Sequence, residues 1–440
     1  MNKIKLFRQT CRQEGFKIAV VRAAAILMGV RISGFYEPDD SKEEFLQRYR
    51  IAMDAVKAPA LISTSIKRAM FYEPEKTVEL VNSCVAQVLI NYGRFLNETG
   101  TDVYLNRKNV FEAALMFPQN RNYSRHLAEN IFNQWQWEGA SEELLERCEQ
   151  AVKSASGEAH VKKVYLIYIS SLMELKKEER AQSALRAYVK KYGKKDLHVV
   201  YPAALLAERL GISNEKIRKA AVICEVILQN ENLLETYFAG KSVAVVGSGP
   251  YESGKSRGDE IDRHDVVVRF NDYRTDRFAQ DYGKKTNVWV RNIDTENGGC
   301  APRSNELHKF DLVVLESNIW RFFMPEMFLD DFYAYAVTMK ERFCMLKHRD
   351  RLIREMGSFP TSGGQLLFEL CQIRDCIRSI DVYGFSYMYQ TERNSKALRH
   401  ISDAAEEFRY GNLHHNLRVE AEYLKRLMRG TGDSEGYRDG

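Results

Sequence analysis

From about residue 40 to residue 235, apolar side chains recur at the three- and four-residue intervals of amphipathic helices. One helix is predicted over 141–154, with Leu144, Leu145, Cys148 and Val152 on one face. Another is predicted to begin at Ser213 as N-cap. Ile212 and Ile217 would close a hydrophobic staple around it, and Ala220, Ala221, Cys224, Ile227 and Leu228 extend the stripe. Short helices with brief polar joins resemble helical hairpins of the tetratricopeptide kind, although no fixed period carries the signature residues. The expectation is an all-helical, solenoid-like domain over 36–236. It would bind an acceptor or partner, and a purely structural role fits the pattern equally well.

The pattern changes at Lys241. Short apolar runs read as strands at 242–246, 266–270, 288–290, 312–315 and 380–383, with helical stretches such as 364–371 between them. Strands alternating with helices predict an α/β domain with a mainly parallel sheet, placed at 237–430. The last ten residues, 431–440, rich in glycine and charge, read as a disordered tail.

Composition narrows the class. The chain has 440 residues, 45% hydrophobic and 28% charged, enough for two or three domains with real cores and too apolar for wholesale disorder. Eight scattered cysteines without a CxxC pair suggest neither a zinc ribbon nor a disulfide framework, and point to reduced thiols in a cytoplasmic protein. Net charge is +5, yet residues 1–35 hold seven basic side chains against Glu14 alone, so the remainder sits near −1. That distribution argues against a nucleic-acid binder. Within 16–32 the uninterrupted apolar run is only 23–30, with Arg22 before it. This is too short for a membrane span, which needs about 20 apolar residues. It suits a basic amphipathic helix at 1–35 lying on an anionic membrane surface. A first helix packed on the body of the protein is the alternative.

Chemistry is expected where the first strand ends, because ligands bind at the carboxyl ends of parallel strands. Gly247-x-Gly249 supplies two glycines of a dinucleotide fingerprint, but position 252 is Glu where a third is wanted. Gly249 to Ser256 also satisfies GxxxxGK[ST], which would make Lys255 a phosphate ligand and the protein an ATP- or GTP-dependent phosphotransferase. That loop must open a helix, whereas here only about ten residues, including Asp262-Arg263-His264-Asp265, separate Lys255 from the next strand.

A third reading uses more residues. Between Val243 and Arg291 stand an AVVG strand, a glycine turn, Gly258-x-Glu260-Ile261-Asp262, His264-Asp265, Arg269-x-Asn271 and Asp281-x-Gly283-x-Lys285-Thr286. This block resembles the large sialyl motif of the sialyltransferase family (glycosyltransferase family 29, animal-type motifs). Pro360-Thr361-Ser362-Gly363 with Asp381-Val382-Tyr383-Gly384-Phe385 resembles the small motif, His400-Ile401-Ser402-Asp403 partly matches the third, and His415 with Glu420 matches the very small one. The four blocks fall in the family's order, and the resemblance leaves residues 1–235 untouched. Where the family pairs two cysteines, this chain has Val243 and Ile377, which fits a bacterial-type member in a reducing compartment. Ser248 replaces the turn's usual donor-binding Asn.

The resemblance implies an α/β Rossmann-like glycosyltransferase domain, a GT-A-like variant, following the all-α domain. It implies inverting transfer of sialic acid, or a related acid sugar, from its cytidine monophosphate (CMP) adduct to a glycan acceptor. His415 would be the general base: it stands at the start of a helix predicted over 417–428, where the positive dipole end disfavours imidazolium. Glu420 would support it. His400 would stabilise charge on the departing phosphate. Ser248, Gly249 and Asn271 would bind the donor, as would Thr361, Ser362 and Gly363, the last three as an anion site at a helix N-terminus. For any one of these residues a bland role is common, a surface His at a helix start or an Asn capping a turn. Gly384 and Phe385 read as structural. With no Asp-x-Asp in the chain and a monophosphate leaving group, no metal or other cofactor is expected. The protein is expected in the cytoplasm, peripheral to the inner face of the membrane.

Overall fold

Apolar strands separated by helices need cover on both sheet faces. The structure, a computed structural model, describes residues 123–154, 158–292, 303–316, 318–356, 360–389, 397–398, 407–408 and 417–429. The basic segment 1–35, the tail 431–440, and His400, His414 and His415 lie outside the described residues. Two compact units divide the chain, one of Met1–Asn133 with Ala151–Val161 and one of Gln134–Gln150 with Lys162–Gly440. In the first, Ala128, Ile131, Ala151 and Val161 are buried. The second carries the sheet.

Helices α1 (Tyr123–Glu138), α2 (Glu142–Ser154), α3 (Glu158–Glu174), α4 (Glu178–Tyr192), α5 (Tyr201–Arg209), α6 (Glu215–Gln229) and α7 (Leu233–Phe238) precede the first strand. Ser141 starts α2, its hydroxyl accepting a hydrogen bond from Leu144 N at 3.1 Å. The start of α6 differs from expectation by one residue. Asn214, with extended backbone, is the cap and accepts from Ile217 N at 2.9 Å, while the Ser213 hydroxyl turns back to Glu208. Moving the cap puts the staple positions on Ser213 and Arg218, so no staple closes, and Ile217 is simply core.

The sheet has six parallel strands in the order β5-β4-β3-β2-β1-β6. These are β1 (Ser242–Val246), β2 (Val266–Phe270), β3 (Val288–Arg291), β4 (Leu312–Leu315), β5 (Phe343–Met345) and β6 (Ser379–Tyr383). Between them run α8 (Gly258–Asp262), α9 (Ala279–Tyr282), α10 (Leu329–Thr338), α11 (Arg349–Met356) and α12 (Ser362–Gln372). After β6 come α13 (Ser386–Tyr389) and α14 (Leu417–Arg429). Five of the strands are those the hydrophobic pattern predicts. The sixth, β5, is three residues long, too short to register as a periodic signal.

Side chains alternate between two cores, as period-two geometry requires. Val243, Val245, Val266, Val268, Val288, Val290, Leu312 and Val314 pack on one face with residues of α7, α12 and α14. Ala244, Val246, Val267, Trp289, Val313 and Leu315 pack on the other with α4, α5, α6 and α10. Helices α4, α5 and α6, which precede the first strand, therefore share a core with one face of the sheet.

Across this end of the sheet His264, just before β2, reaches over β1 to edge strand β6. Its Nε2–H donates to Asp381 at 2.9 Å and its Nδ1–H to the carbonyls of Glu260 and Ile261. The Asp381 bond raises the His264 pKa, and the same bond lowers that of Asp381. The imidazolium contribution is complete below the unfolded His value, about 6.5, and disappears as pH rises through the elevated folded value. The carboxylate contribution is present above the unfolded Asp value, about 3.9, and is lost as pH falls through the depressed one. Asp381→Asn is therefore expected to lower the thermal midpoint most between about pH 5 and 6 and least above about pH 8. Unfolding curves for both proteins across that range check it; a pH-independent difference would exclude the ion pair.

Candidate functional site

In the strand order the chain moves outward from β1 to β5 and then returns to place β6 on the other side of β1. The carboxyl ends of β1 and β6 thus flank a topological switch point, where open parallel sheets bind ligands. The glycine turn Gly247-Ser248-Gly249 leaves β1 here and meets Gly384-Phe385 leaving β6. Gly247 N donates to Tyr383 O at 2.8 Å and Gly249 N to Gly384 O at 2.7 Å. A Cβ on Gly247 would stand 2.8 Å from Gly384 O, and one on Gly249 would strike Ser386 Oγ. Gly384 itself holds φ +68°, a left-handed conformation that favours glycine.

Phe385 is wedged where three elements meet. Its ring faces Phe270 at 6.2 Å between centroids, lies against Gly247, and leaves no room for a Cβ on Gly363, which would be 2.6 Å from the ring. The structural role expected of Gly384 and Phe385 is thus given a geometry.

Arg269 supplies the next support. It is wholly buried in β2, donates from Nη2 to Tyr282 O at 2.6 Å and from Nε to Lys285 O at 3.0 Å, and burial pulls its pKa down to about 10. It therefore remains a cation at neutral pH. The Tyr282 it holds donates its hydroxyl to Gly249 O at 2.7 Å, which ties the glycine turn to β2. Two residues on, Asn271 has φ +50°, a conformation Asn tolerates better than most side chains. Its Oδ1 accepts from Asn292 N at 2.8 Å and its carbonyl from the Trp289 indole at 3.0 Å, joining the ends of β2 and β3. Asn271 is thus a turn-former as well as a candidate donor ligand.

Thr361 caps α12, its Oγ1 accepting from Gly364 N at 3.0 Å. Its own amide and hydroxyl donate to the Glu420 carboxylate at 2.7 and 2.5 Å. Glu420, on α14, is wholly buried. Gly364 makes room for it, since a Cβ there would be 2.3 Å from Glu420 Oε1. Ser362 donates its hydroxyl to Glu316, a buried residue immediately after β4. Both hydroxyls expected to cradle an anion have therefore committed their protons to carboxylates. The Thr361 amide is likewise taken by Glu420 and the Gly364 amide by Thr361 Oγ1, so most of the turn's donors are already satisfied within the protein. Sequence reading missed Glu316, although an acidic residue directly after an all-apolar strand, at the carboxyl end of a parallel sheet, was a usable signal.

The phosphate-loop alternative fails on geometry. After Gly249 the chain forms a single 3-10 turn, Pro250–Glu252, and no helix opens from Lys255. Gly254 N and Ser256 N both donate to the Asp281 carboxylate at 2.9 Å, so a side chain already occupies the loop amides. Lys255 lies over the Tyr251 ring at 3.2 Å. Glu252, where a dinucleotide fingerprint wants glycine, is buried and accepts from Gly384 N at 3.3 Å. Among the described residues no group of three or more His, Cys, Asp or Glu side chains is arranged to hold a metal ion, and no helix is long and apolar enough to cross a membrane.

Residues 208–297 match the family model described as glycosyltransferase family 29 (sialyltransferase). Over 117 residues the chain is 28% identical to beta-galactoside alpha-2,6-sialyltransferase 1 of Mus musculus, a match spanning 26% of this chain and 29% of that protein. Among solved structures, a mammalian sialyltransferase in complex with Gal-beta-1-3GalNAc-ortho-nitrophenol is 17% identical, with 52% of this chain and 80% of that chain covered and a TM-score of 0.32. A likeness of that size carries no argument by itself. The family model and the curated relative support the sialyltransferase family that the motifs resemble.

The Glu420 contact makes a stability prediction. Glu420→Gln removes a charge-assisted acceptor and turns an N–H donor toward the Thr361 donors, at a cost of about 1–3 kcal/mol. Gly364→Ala is expected to destabilise as well, because it displaces the same carboxylate. Urea unfolding of both variants checks this, and a Glu420→Gln midpoint equal to that of the unaltered chain would remove Glu420 from its supporting role.

Proposed function

We propose that this chain transfers sialic acid, or a related acid sugar, from its CMP adduct to a hydroxyl of a glycan acceptor, with inversion at the transferred carbon. The observation that carries the reading is convergence. The glycine turn after β1, the Asn271 turn after β2 and the start of α12 meet at the switch point of a parallel sheet, and the family model matches through the first two of these. The finer assignments rest on the motif resemblance.

In this reading Ser248, Gly249, Asn271 and the Thr361–Gly363 turn hold the donor. His415 removes the acceptor proton as the hydroxyl attacks the face of the sugar opposite the nucleotide. A base with pKa near neutrality serves that step. His400 stabilises negative charge on the phosphate oxygen as its bond to the sugar breaks. A monophosphate leaves with less charge than a diphosphate, so the proposal needs no metal. The basic segment 1–35 would hold the enzyme on the anionic cytoplasmic face of a membrane, as a bacterial-type member without the cysteine pair. No observation favours the phosphotransferase reading.

CMP is expected to bind the full chain in the presence of a chelator, Asn271→Ala to weaken it, and Lys255→Ala to leave it unchanged. His415→Ala is expected to lower transfer by about a hundredfold to ten-thousandfold while donor affinity stays near that of the unaltered chain. Calorimetry and a transfer assay separate the two effects. Magnesium-dependent binding of ATP that is lost in Lys255→Ala would overturn the proposal.

A further inference from the structure

Many surface cations of the second unit are met by acids. Lys177 faces Glu142, Arg180 faces Glu149, Lys219 faces Asp330 and Arg351 faces Glu355. The end of α4 is different. Arg186, Lys190, Lys191, Lys194 and Lys195 are all exposed, and no acidic side chain occurs from Ala181 to Lys195. Among the described residues, the side chains of Arg186, Lys190 and Lys195 make no hydrogen bond or ion pair.

Such a cluster costs stability. Arg186 and Lys190 stand at i and i+4 on one face of α4, where like charges repel. The helix dipole favours Lys190 and Lys191 in the last turn, but its reach ends there and leaves out Arg186. Aromatic rings lie among these cations. Tyr192 is half-buried, with Lys191 at 5.0 Å and Lys162 at 5.5 Å from its ring centroid. The half-buried Tyr165 meets it edge-on at 6.3 Å. Tyrosine joins an apolar body to a polar tip, and lysine joins an apolar stem to a charge, a pairing suited to the boundary between water and acyl chains.

We infer that the exposed face of α4, with the turn at 193–195, is a second membrane contact that seats the folded body on the headgroups of anionic phospholipid. A layer of headgroups supplies the counter-charge that this stretch of chain omits, and it needs no fitted pocket. Nucleic acid is the less apt partner, because Tyr165 and Tyr192 pack on each other and on Tyr188 rather than presenting free faces to bases. The inference rests on the reading of residues 1–35 for the kind of surface, and adds which side of the folded body faces it.

Sedimentation of the full chain with vesicles of equal parts phosphatidylglycerol and phosphatidylcholine tests it at low salt. Each cation near an anionic surface strengthens binding about fivefold. The combined variant Arg186→Gln, Lys190→Gln, Lys195→Gln is therefore expected to bind about a hundredfold more weakly, with a thermal midpoint no lower than that of the unaltered chain. Vesicles are expected to protect Lys190 and Lys195 from an amine-reactive label read by mass spectrometry. Lys425 is expected to stay labelled, because α14 packs on the opposite face of the sheet. A combined variant that binds as tightly as the unaltered chain, or free labelling of Lys190 and Lys195 on vesicles, overturns the inference and leaves the reading of residues 1–35 standing. An unaltered chain that does not bind these vesicles overturns both. Single-stranded RNA bound by the unaltered chain and not by the combined variant, with equal vesicle binding by the two, assigns the face to nucleic acid and overturns the lipid contact.

Discussion

The site depends on a contact between two backbones. Gly247 after β1 and Gly384 after β6 approach so closely that neither tolerates a side chain, and the bonds from Gly247 N to Tyr383 O and Gly249 N to Gly384 O run between the turns that carry them. Parallel strands on either side of a switch point ordinarily diverge into separate loops, leaving a crevice. Here the turns are laced together at its base, and the Phe385 ring sets the distance to the start of α12 through Gly363. The floor of the crevice is consequently covalent backbone and one aromatic ring, neither of which has alternative rotamers to explore cheaply in a packed core.

Carboxylates act as the complementary constraint. Glu420 gathers the amide and hydroxyl of Thr361, Glu316 takes the Ser362 hydroxyl, and Asp281 takes two loop amides after the glycine turn. The buried Glu420 and Glu316 satisfy donors that would otherwise be left unpaired, at a cost comparable to losing a hydrogen bond, whereas the half-buried Asp281 ties down an exposed loop. Arg269 plays the converse part, supplying donors to two carbonyls of the segment that positions Gly249. The sequence blocks read as a donor site therefore include several residues whose side chains hold the turns in place.

Much of the sheet was legible in the sequence because strands buried on both faces read as near-continuous apolar runs, and β1 through β4 are such runs, with Arg269 interrupting β2 and Arg291 ending β3. The starts of α2 and α6 were legible to within a residue. Ser213 and Asn214 are both good caps, and only the extended backbone at Asn214 decides between them. The short β5 carried too few residues to show a period. In the site, motif spacing located the glycine turn, Asn271 and the start of α12. It could not show that Thr361 and Ser362 point their protons at carboxylates, because Glu316 and Glu420 are 46 and 59 residues away in the chain. Hydrogen-bond direction is a property of tertiary partners, and residue type at fixed spacing does not encode it. The two candidate catalytic histidines lie outside the described residues, so their reading still rests on motif and local helix position.

The Asp281 carboxylate gives the glycine loop a chemical consequence of its own. A string that spells a phosphate loop in one-letter code is realised here as a loop already carrying its anion, attached by the chain itself. An internal carboxylate is present at an effective concentration that no free nucleotide matches, and it adds negative potential where a triphosphate would have to dock. The loop surface is therefore a poor docking place for a polyanionic nucleotide, whatever its one-letter pattern spells.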